Sequence, residues 1–426
     1  MNLTAAAPEI VQALEEARER TLHLVGALSD DELTSVHSPL MSPLVWDLGH
    51  IAAFEDLWLV HRYGGRPLLH DELADVYDAF ETPRAGRGEL DMLGPEQARE
   101  YLAEVRERTL SVIEERGADP LLHELVLRHE HQHNETMLQT LQLAGLDGWA
   151  PVDAPRARAV SSTLTGLELA EVPAGPCTIG AGPRGFAYDN ERPCRSAELA
   201  GFAIGRTPVT NGAYLEFVHA GGYEQREHWS AAGWEWRLAE GIDRPGGWSE
   251  DLTAERRLGS LVPLHPLRPV IHVSWYEADA FARSHGVRLP TEAEWEKAAT
   301  WDEGFGGARL FPWGAEPPVP GVHANLDRLT GLPALAGAYP AGSSPYGCLG
   351  MIGDVWEWTA SPFGGYPGFV PEPYREYSEV FFGEDYKVLR GGSWATRARV
   401  ATPTFRNWDF PQRRQIFSGF RLASTL

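Results

Sequence analysis

Residues 121–143 read LLHELVLRHEHQHNETMLQTLQL. No Gly or Pro interrupts the stretch, and Leu122, Leu125, Val126, Leu138, Leu141 and Leu143 recur near the 3.6-residue period, which predicts one long helix. Pro120 suits a first helical turn, and Gly145 ends the pattern. His129 and His133 are four apart and project from one face about one turn from each other, with Gln132 beside them and His131 turned away. Two imidazoles so spaced can bind one metal ion but cannot complete its shell, so further ligands must come from elsewhere.

The rest of the first 145 residues is also helical in pattern. Residues 9–28 carry Ile10, Leu14, Leu22 and Leu24 or Val25 between charges, and Ser29 restarts the chain as an N-cap followed by Asp30, Asp31 and Glu32. Residues 43–63 (PLVWDLGHIAAFEDLWLVHRY) form a second, largely apolar helix, and residues 97–115 a third. Four helices with short or moderate links predict an up-and-down bundle, a fold that places metal sites on inward faces. His50, flanked by Leu48, Ile51 and Phe54, becomes the candidate third ligand. A lone histidine on an apolar helix is ordinarily a core residue with one satisfied nitrogen, but the pair four apart shifts the balance. Three histidines could make one face of an octahedron and leave three positions for substrate and dioxygen, or leave one position on tetrahedral zinc. Imidazole suits Fe(II), Zn(II) or Cu(II), and spacing alone does not choose among them. His123 and His131 are expected on the surface.

Length and charge narrow the classes. A chain of 426 residues with 43% hydrophobic content predicts two or three domains. A formal charge of -23 argues against nucleic acid and anionic membrane as partners, since both demand a basic face. Cys177, Cys194 and Cys348 are too few and too scattered for a disulfide framework or a cysteine-rich zinc site. The opening MNLTAAAPEIVQALEEARER has acids where a signal peptide needs an apolar run, and nowhere do about 18 apolar residues occur together. The expectation is a cytoplasmic monomer. Residues 149–165 (WAPVDAPRARAVSSTLT) lose the helical period and read as a linker between a bundle at 1–148 and a second domain at 166–426. That second region holds most of the glycines and tryptophans, helices at 211–219 and 275–285, and short strands such as Lys387-Val388-Leu389-Arg390.

Between the second and third helices runs Tyr77-Asp78-Ala79-Phe80-Glu81-Thr82-Pro83-Arg84-Ala85-Gly86-Arg87. Its two arginines either sit in a solvated loop of an acidic protein or form a carboxylate clamp, which guanidinium forks make by bidentate hydrogen bonding.

Residues 166–422 carry Pro208-Val209-Thr210-Asn211, Val273-Ser274-Trp275, Arg288-Leu289-Pro290-Thr291-Glu292-Ala293-Glu294-Trp295-Glu296, Phe311-Pro312-Trp313-Gly314, Asn325, Gly350-Met351-Ile352-Gly353-Asp354-Val355-Trp356-Glu357-Trp358 and Arg390-Gly391-Gly392-Ser393-Trp394. By these motifs the region resembles the formylglycine-generating-enzyme (sulfatase-modifying factor) domain, a variant of the C-type lectin fold. The bundle resembles a DinB-like domain, whose three-histidine metal site matches His50, His129 and His133. Together they are similar to the sulfoxide synthases of ergothioneine biosynthesis (hercynine oxygenases). The implied fold is α+β multidomain: a DinB-like four-helix bundle followed by a C-type-lectin-like domain rich in irregular structure.

That resemblance implies a non-haem Fe(II) oxidoreductase that joins the sulfur of gamma-glutamylcysteine to imidazole C2 of hercynine, using O2 and leaving a sulfoxide. By the same resemblance Arg84 and Arg87, with Asp409 and Arg413, serve gamma-glutamylcysteine, the acid for its ammonium and the guanidinium for a carboxylate. Gln132, Asn407 and Trp408 serve hercynine. Residues 373–382 match the segment that supplies the active-site tyrosines. A phenol can donate a proton while staying neutral at pH 7; Tyr374 is taken as the donor and Tyr377 as a substrate contact, the alternative being that both are core aromatics. A true formylglycine generator would need a reactive cysteine pair, and the C-terminal part offers only Cys348. The related ovothiol-type 5-histidylcysteine sulfoxide synthases use cysteine and usually carry a methyltransferase domain, for which no residues follow Leu426. A lectin-fold binding protein without catalysis would not need the three histidines.

Overall fold

Five α-helices build the N-terminal unit among the residues that the computed structural model describes, which are 3–147, 149 and 164–426. They are α1 (Leu3–Val25), α2 (Asp30–Thr34), α3 (Leu44–Glu55), α4 (Pro95–Arg116) and α5 (Pro120–Ala144). Local chemistry sets their ends. Ser29 and Glu32 close a reciprocal capping box on α2. The Asp119 carboxylate accepts the Leu121 and Leu122 amides at the start of α5, and Gly145 ends it at φ 66°, in the left-handed region. α3 continues as a π-helical segment, Asp56–Tyr63. No described helix is long and apolar enough to cross a membrane.

α5 packs against α1 on one side and α3 on another. Polar positions that periodicity assigns to solvent are therefore enclosed. His123 and His131 are buried, at 0% and 5% exposure, which corrects the expectation that both lie on the surface. His123 Nδ1 lies 2.7 Å from the Asp119 carbonyl, and its ring meets Tyr63 edge-on.

Four charged residues from four helices meet inside the bundle. Arg18 on α1 bonds Glu55 on α3 at 2.8 Å and Glu130 on α5 at 3.0 Å. Arg106 on α4 forks onto Glu55 with two 2.8 Å bonds and reaches Glu130 at 3.2 Å. Thr21 adds a 2.7 Å hydrogen bond to Glu130. Burial alone would raise the Glu55 carboxyl, but the charge and hydrogen bonds of Arg106, then Arg18, more than offset it and hold it at about 2. A pKa depressed from 4.5 means that this stabilisation is complete above about pH 4.5 and is lost as the pH falls towards 2. Removing one partner strands buried charge, so Glu130→Ala is expected to cost roughly 3–5 kcal/mol, read as a lower urea midpoint in equilibrium unfolding.

Contacts divide the chain into Met1–Ala150 with Leu258–Ser260, and Pro151–Arg257 with Leu261–Leu426. Of the expected linker at 149–165, only Trp149, Leu164 and Thr165 lie within the described residues. In the second unit Phe202–Gly205 is the centre of a three-stranded antiparallel sheet between Leu169–Val172 and the C-terminal Ala423–Thr425, so the chain's last strand pairs near the unit's first. A four-stranded sheet runs in the order Asn407–Asp409, Gly383–Arg390, Trp356–Phe363, Ser418–Gly419. Helices Asn211–His219, Ala231–Glu240, Trp275–Ser284 and Glu292–Thr300 complete it, each started by a Ser or Thr cap. The Glu292–Thr300 helix pairs its acids with arginines, of which Arg390 and Arg406 are buried. Glu292 takes Arg406 through two 2.9 Å bonds, Glu294 takes Arg288 through two 2.7 Å bonds, and Glu296 pairs with Arg390. Trp295 packs beside them in the core with Val172, Phe202, Ile204 and Met351.

Candidate metal centre and substrate residues

α3 and α5 bring His50, His129 and His133 together, with one ring nitrogen of each within 4.8 Å of the others. His50 Nδ1 faces the Tyr77 carbonyl at 2.6 Å. A carbonyl only accepts, so Nδ1 carries the proton and Nε2 presents a lone pair. His133 Nδ1 faces an Asp47 carboxylate oxygen at 2.9 Å, which fixes the same tautomer. The Nε2 atoms of His50 and His129 are 3.1 Å apart. Burial, then the neighbouring histidines, holds His50 and His129 well below the ordinary imidazole range, in the neutral form that ligates. This donor set fits a divalent metal.

The ring packing is equally specific. Phe54 stacks on His129 at 3.7 Å and 9°, and Trp46 on His50 at 4.7 Å and 13°. Gly49 allows the Tyr77 loop to approach: a Cβ there would lie 2.2 Å from the Tyr77 ring. Spacing did not reveal Asp47, Trp46, Phe54 or the Tyr77 carbonyl. The signal was available for Asp47, a carboxylate in an apolar helix that must find a partner once buried. Asp47→Ala is expected to weaken metal binding by roughly 10–100-fold, measured by anaerobic titration of the metal-free protein.

The loop arginines differ from each other. Arg84 is exposed, with one long contact from Nη1 to the Leu40 carbonyl at 3.4 Å. Arg87 is buried and donates to Thr82 O at 2.8 Å, Ser42 Oγ at 2.7 Å and Ala79 O at 3.2 Å. Gln132 is half-buried on α5, between His129 and His133 in sequence.

Within the second unit, Tyr374, Tyr377 and Trp408 fall in one aromatic cluster. Tyr374 meets Tyr377 edge-on at 6.1 Å, Tyr377 meets Trp408 edge-on at 6.2 Å, and Trp408 stacks on Phe363 at 4.1 Å. Tyr377 also lies flat on Tyr188 at 4.7 Å. The next residue, Ser378, is fully buried, bonded to the Asp189 carboxylate and to Asn190 Nδ2 at 2.9 Å. Asn407 and Asp409 flank Trp408 on a strand paired with Lys387 to Leu389. Asp409 is ion-paired with Arg413 at 3.6 Å and accepts from Gln415 Nε2 at 3.2 Å. Arg406, next to this patch in sequence, is turned into the interior on Glu292 and the Asn190 carbonyl. Cys348 is buried in the core, and burial raises its thiol, which disfavours the thiolate that a reactive cysteine needs.

Three histidines close enough to hold one metal ion, in a helical bundle on a chain with a second α+β unit, fit a metal-dependent enzyme of two-domain build. The family model of the DinB superfamily matches residues 13–145, and that of the sulfatase-modifying factor enzyme 1-like domain matches residues 157–426. The hercynine oxygenase of Mycolicibacterium thermoresistibile is 46% identical over 97% of this chain and 94% of its own, and that of Mycobacterium tuberculosis is 45% identical over 96% and 97%. The formylglycine-generating enzyme of Thermomonospora curvata is 34% identical over 60% of this chain and 93% of its own. The chain belongs to the hercynine oxygenase family and is an oxygenase.

Proposed function

We propose that the chain joins the sulfur of gamma-glutamylcysteine to imidazole C2 of hercynine with O2 as oxidant, and that His50, His129 and His133 hold Fe(II) for this reaction. One S–H and one C–H bond break, one C–S and one S–O bond form, and the second oxygen atom leaves as water with the two hydrogens. The observation that carries the reading is the convergence of three imidazoles, two with their Nδ1 protons tied to acceptors. When bound, Fe(II) supplies open positions at which a thiolate, an imidazole and dioxygen can be held together.

The chain's own residues then bind and protonate. Arg84 and Arg87 take carboxylate charge of the thiol substrate, Asp409 its ammonium and Arg413 a further carboxylate. Gln132, Asn407 and Trp408 hold hercynine. Tyr374 delivers a proton from its hydroxyl, and Tyr377 contacts substrate. The enzyme is taken to act as a cytoplasmic monomer. Anaerobic Fe(II) reconstitution followed by oxygen and product mass analysis, with hercynine and either gamma-glutamylcysteine or cysteine, tests the reading. Sulfoxide from cysteine alone would move the chain to the ovothiol type, and no coupled product from either thiol would overturn it.

Arg84 separates the two substrates. A lost charged hydrogen bond costs roughly 1.5–3 kcal/mol, or about 10–100-fold in affinity. Arg84→Leu is expected to raise the KM for gamma-glutamylcysteine by that factor and to leave that for hercynine unchanged, as steady-state kinetics with each substrate varied will show.

A further inference from the structure

Arg87 has a second relation to the metal site that a carboxylate clamp does not require. Its guanidinium lies over the Trp46 ring at 3.5 Å, and the other side of the stack is His50, 4.7 Å from Trp46 and nearly parallel to it. Guanidinium, indole and imidazole thus form three layers, with the charged layer outermost and Trp46 fully buried between. The same guanidinium ties down the loop that holds the other edge of His50. It donates to the carbonyls of Ala79 and Thr82, and the carbonyl of Tyr77, two residues before Ala79, accepts the His50 Nδ1 proton. A third bond, to Ser42 Oγ, fixes Arg87 to the residue two before the start of α3. Of five N–H donors, three are already used inside the protein. Arg84, three residues earlier, shares none of these contacts.

Resting on the three-histidine reading, we infer that Arg87 is a positioning residue for the metal ligand His50, acting through the Trp46 stack and the Tyr77 carbonyl, besides any charge it offers to substrate. Without the guanidinium, Trp46 loses its cover and three acceptors lose their donor. The loop carrying the Tyr77 carbonyl is then free to move, and His50 loses the contacts that fix both its ring plane and its tautomer. Partners of this kind typically govern metal affinity by 10–100-fold. Lysine cannot replace arginine here, because a single ammonium neither stacks flat nor serves three acceptors in a plane.

The test is Co(II) binding to the metal-free full-length protein under anaerobic conditions with no substrate present, followed by the visible Co(II) band, alongside thermal melting of the metal-free protein. Arg87→Leu and Arg87→Lys are expected to weaken Co(II) binding by roughly 10–100-fold and to alter the band, while Arg84→Leu binds Co(II) as the parent does. If Arg87→Leu does not fold, Arg87→Lys, which keeps charge and stem, decides. A purely structural role would lower the melting temperature and leave the Co(II) affinity and band of the folded variant unchanged, and that result overturns the inference. A parent that binds no Co(II), or a His50→Ala variant that binds it equally, removes the three-histidine reading itself and the inference with it.

Discussion

Alanine at His50, His129 or His133 is expected to abolish both stoichiometric metal binding and sulfoxide formation while the bundle still unfolds cooperatively. The geometry supports an all-or-none outcome. The three ring nitrogens lie within 4.8 Å of one another, and His50 and His129 are only 3.1 Å apart at Nε2, so each removal leaves an incomplete face that no other described histidine, cysteine or acid is grouped to fill. The fold should survive because the Arg18, Glu55, Arg106 and Glu130 contacts do not involve these rings. His131→Ala is the contrasting variant. Its ring is buried, so it should lose stability yet keep metal and turnover. Metal content after desalting, circular dichroism melting and product mass distinguish these cases. Retained metal and turnover in His50→Ala would end the three-histidine assignment.

Tyr374→Phe is expected to change the product rather than the binding. The variant keeps the ring and its edge contact with Tyr377 and deletes only the hydroxyl. Proton delivery by a positioned group is typically worth about 10²–10⁴ in rate, so sulfoxide formation should slow by that order with near-normal affinity for both substrates. Oxygen should then be diverted to the thiol, adding both atoms to sulfur to give a sulfinic acid. Tyr377→Phe, stacked on Tyr188 and beside Trp408, should affect hercynine affinity more than product identity. Oxygen uptake and product ratio at saturating substrate are the measurements. Altered partitioning in Tyr377→Phe alone would transfer the donor role to that residue, and no change in either would remove the segment from the chemistry.

The helices that carry His50, His129 and His133 were legible because a period of 3.6 residues and a spacing of four are local properties. The helices expected at 211–219 and 275–285 are present as Asn211–His219 and Trp275–Ser284, with Thr210 and Ser274 capping their starts. What surrounds the histidines was not, because it arrives from distant sequence. Asp47 meets His133 from 86 positions away, and Arg18 meets Glu130 across 112. His131 lies inside rather than on the surface; its polarity is compatible with either side of a helix, and only packing of α1 and α3 around α5 decides it. The acids Glu292, Glu294, Glu296 and Glu357, which stand out in the motifs of the second domain, all pair with arginines and hold the fold together. A motif therefore marked the family here without marking its chemistry.

Glu130 follows His129 directly, and its carboxylate is locked by arginines from α1 and α4. The helix can therefore neither slide nor rotate to meet an arriving ion without breaking that lock. Loading the centre should bury almost no apolar surface, so calorimetry should find a heat-capacity change near zero. The apo enzyme should resist proteases nearly as well as the loaded one. In a cell short of the metal, the protein would then persist as an intact, empty reserve that regains activity on resupply without new synthesis.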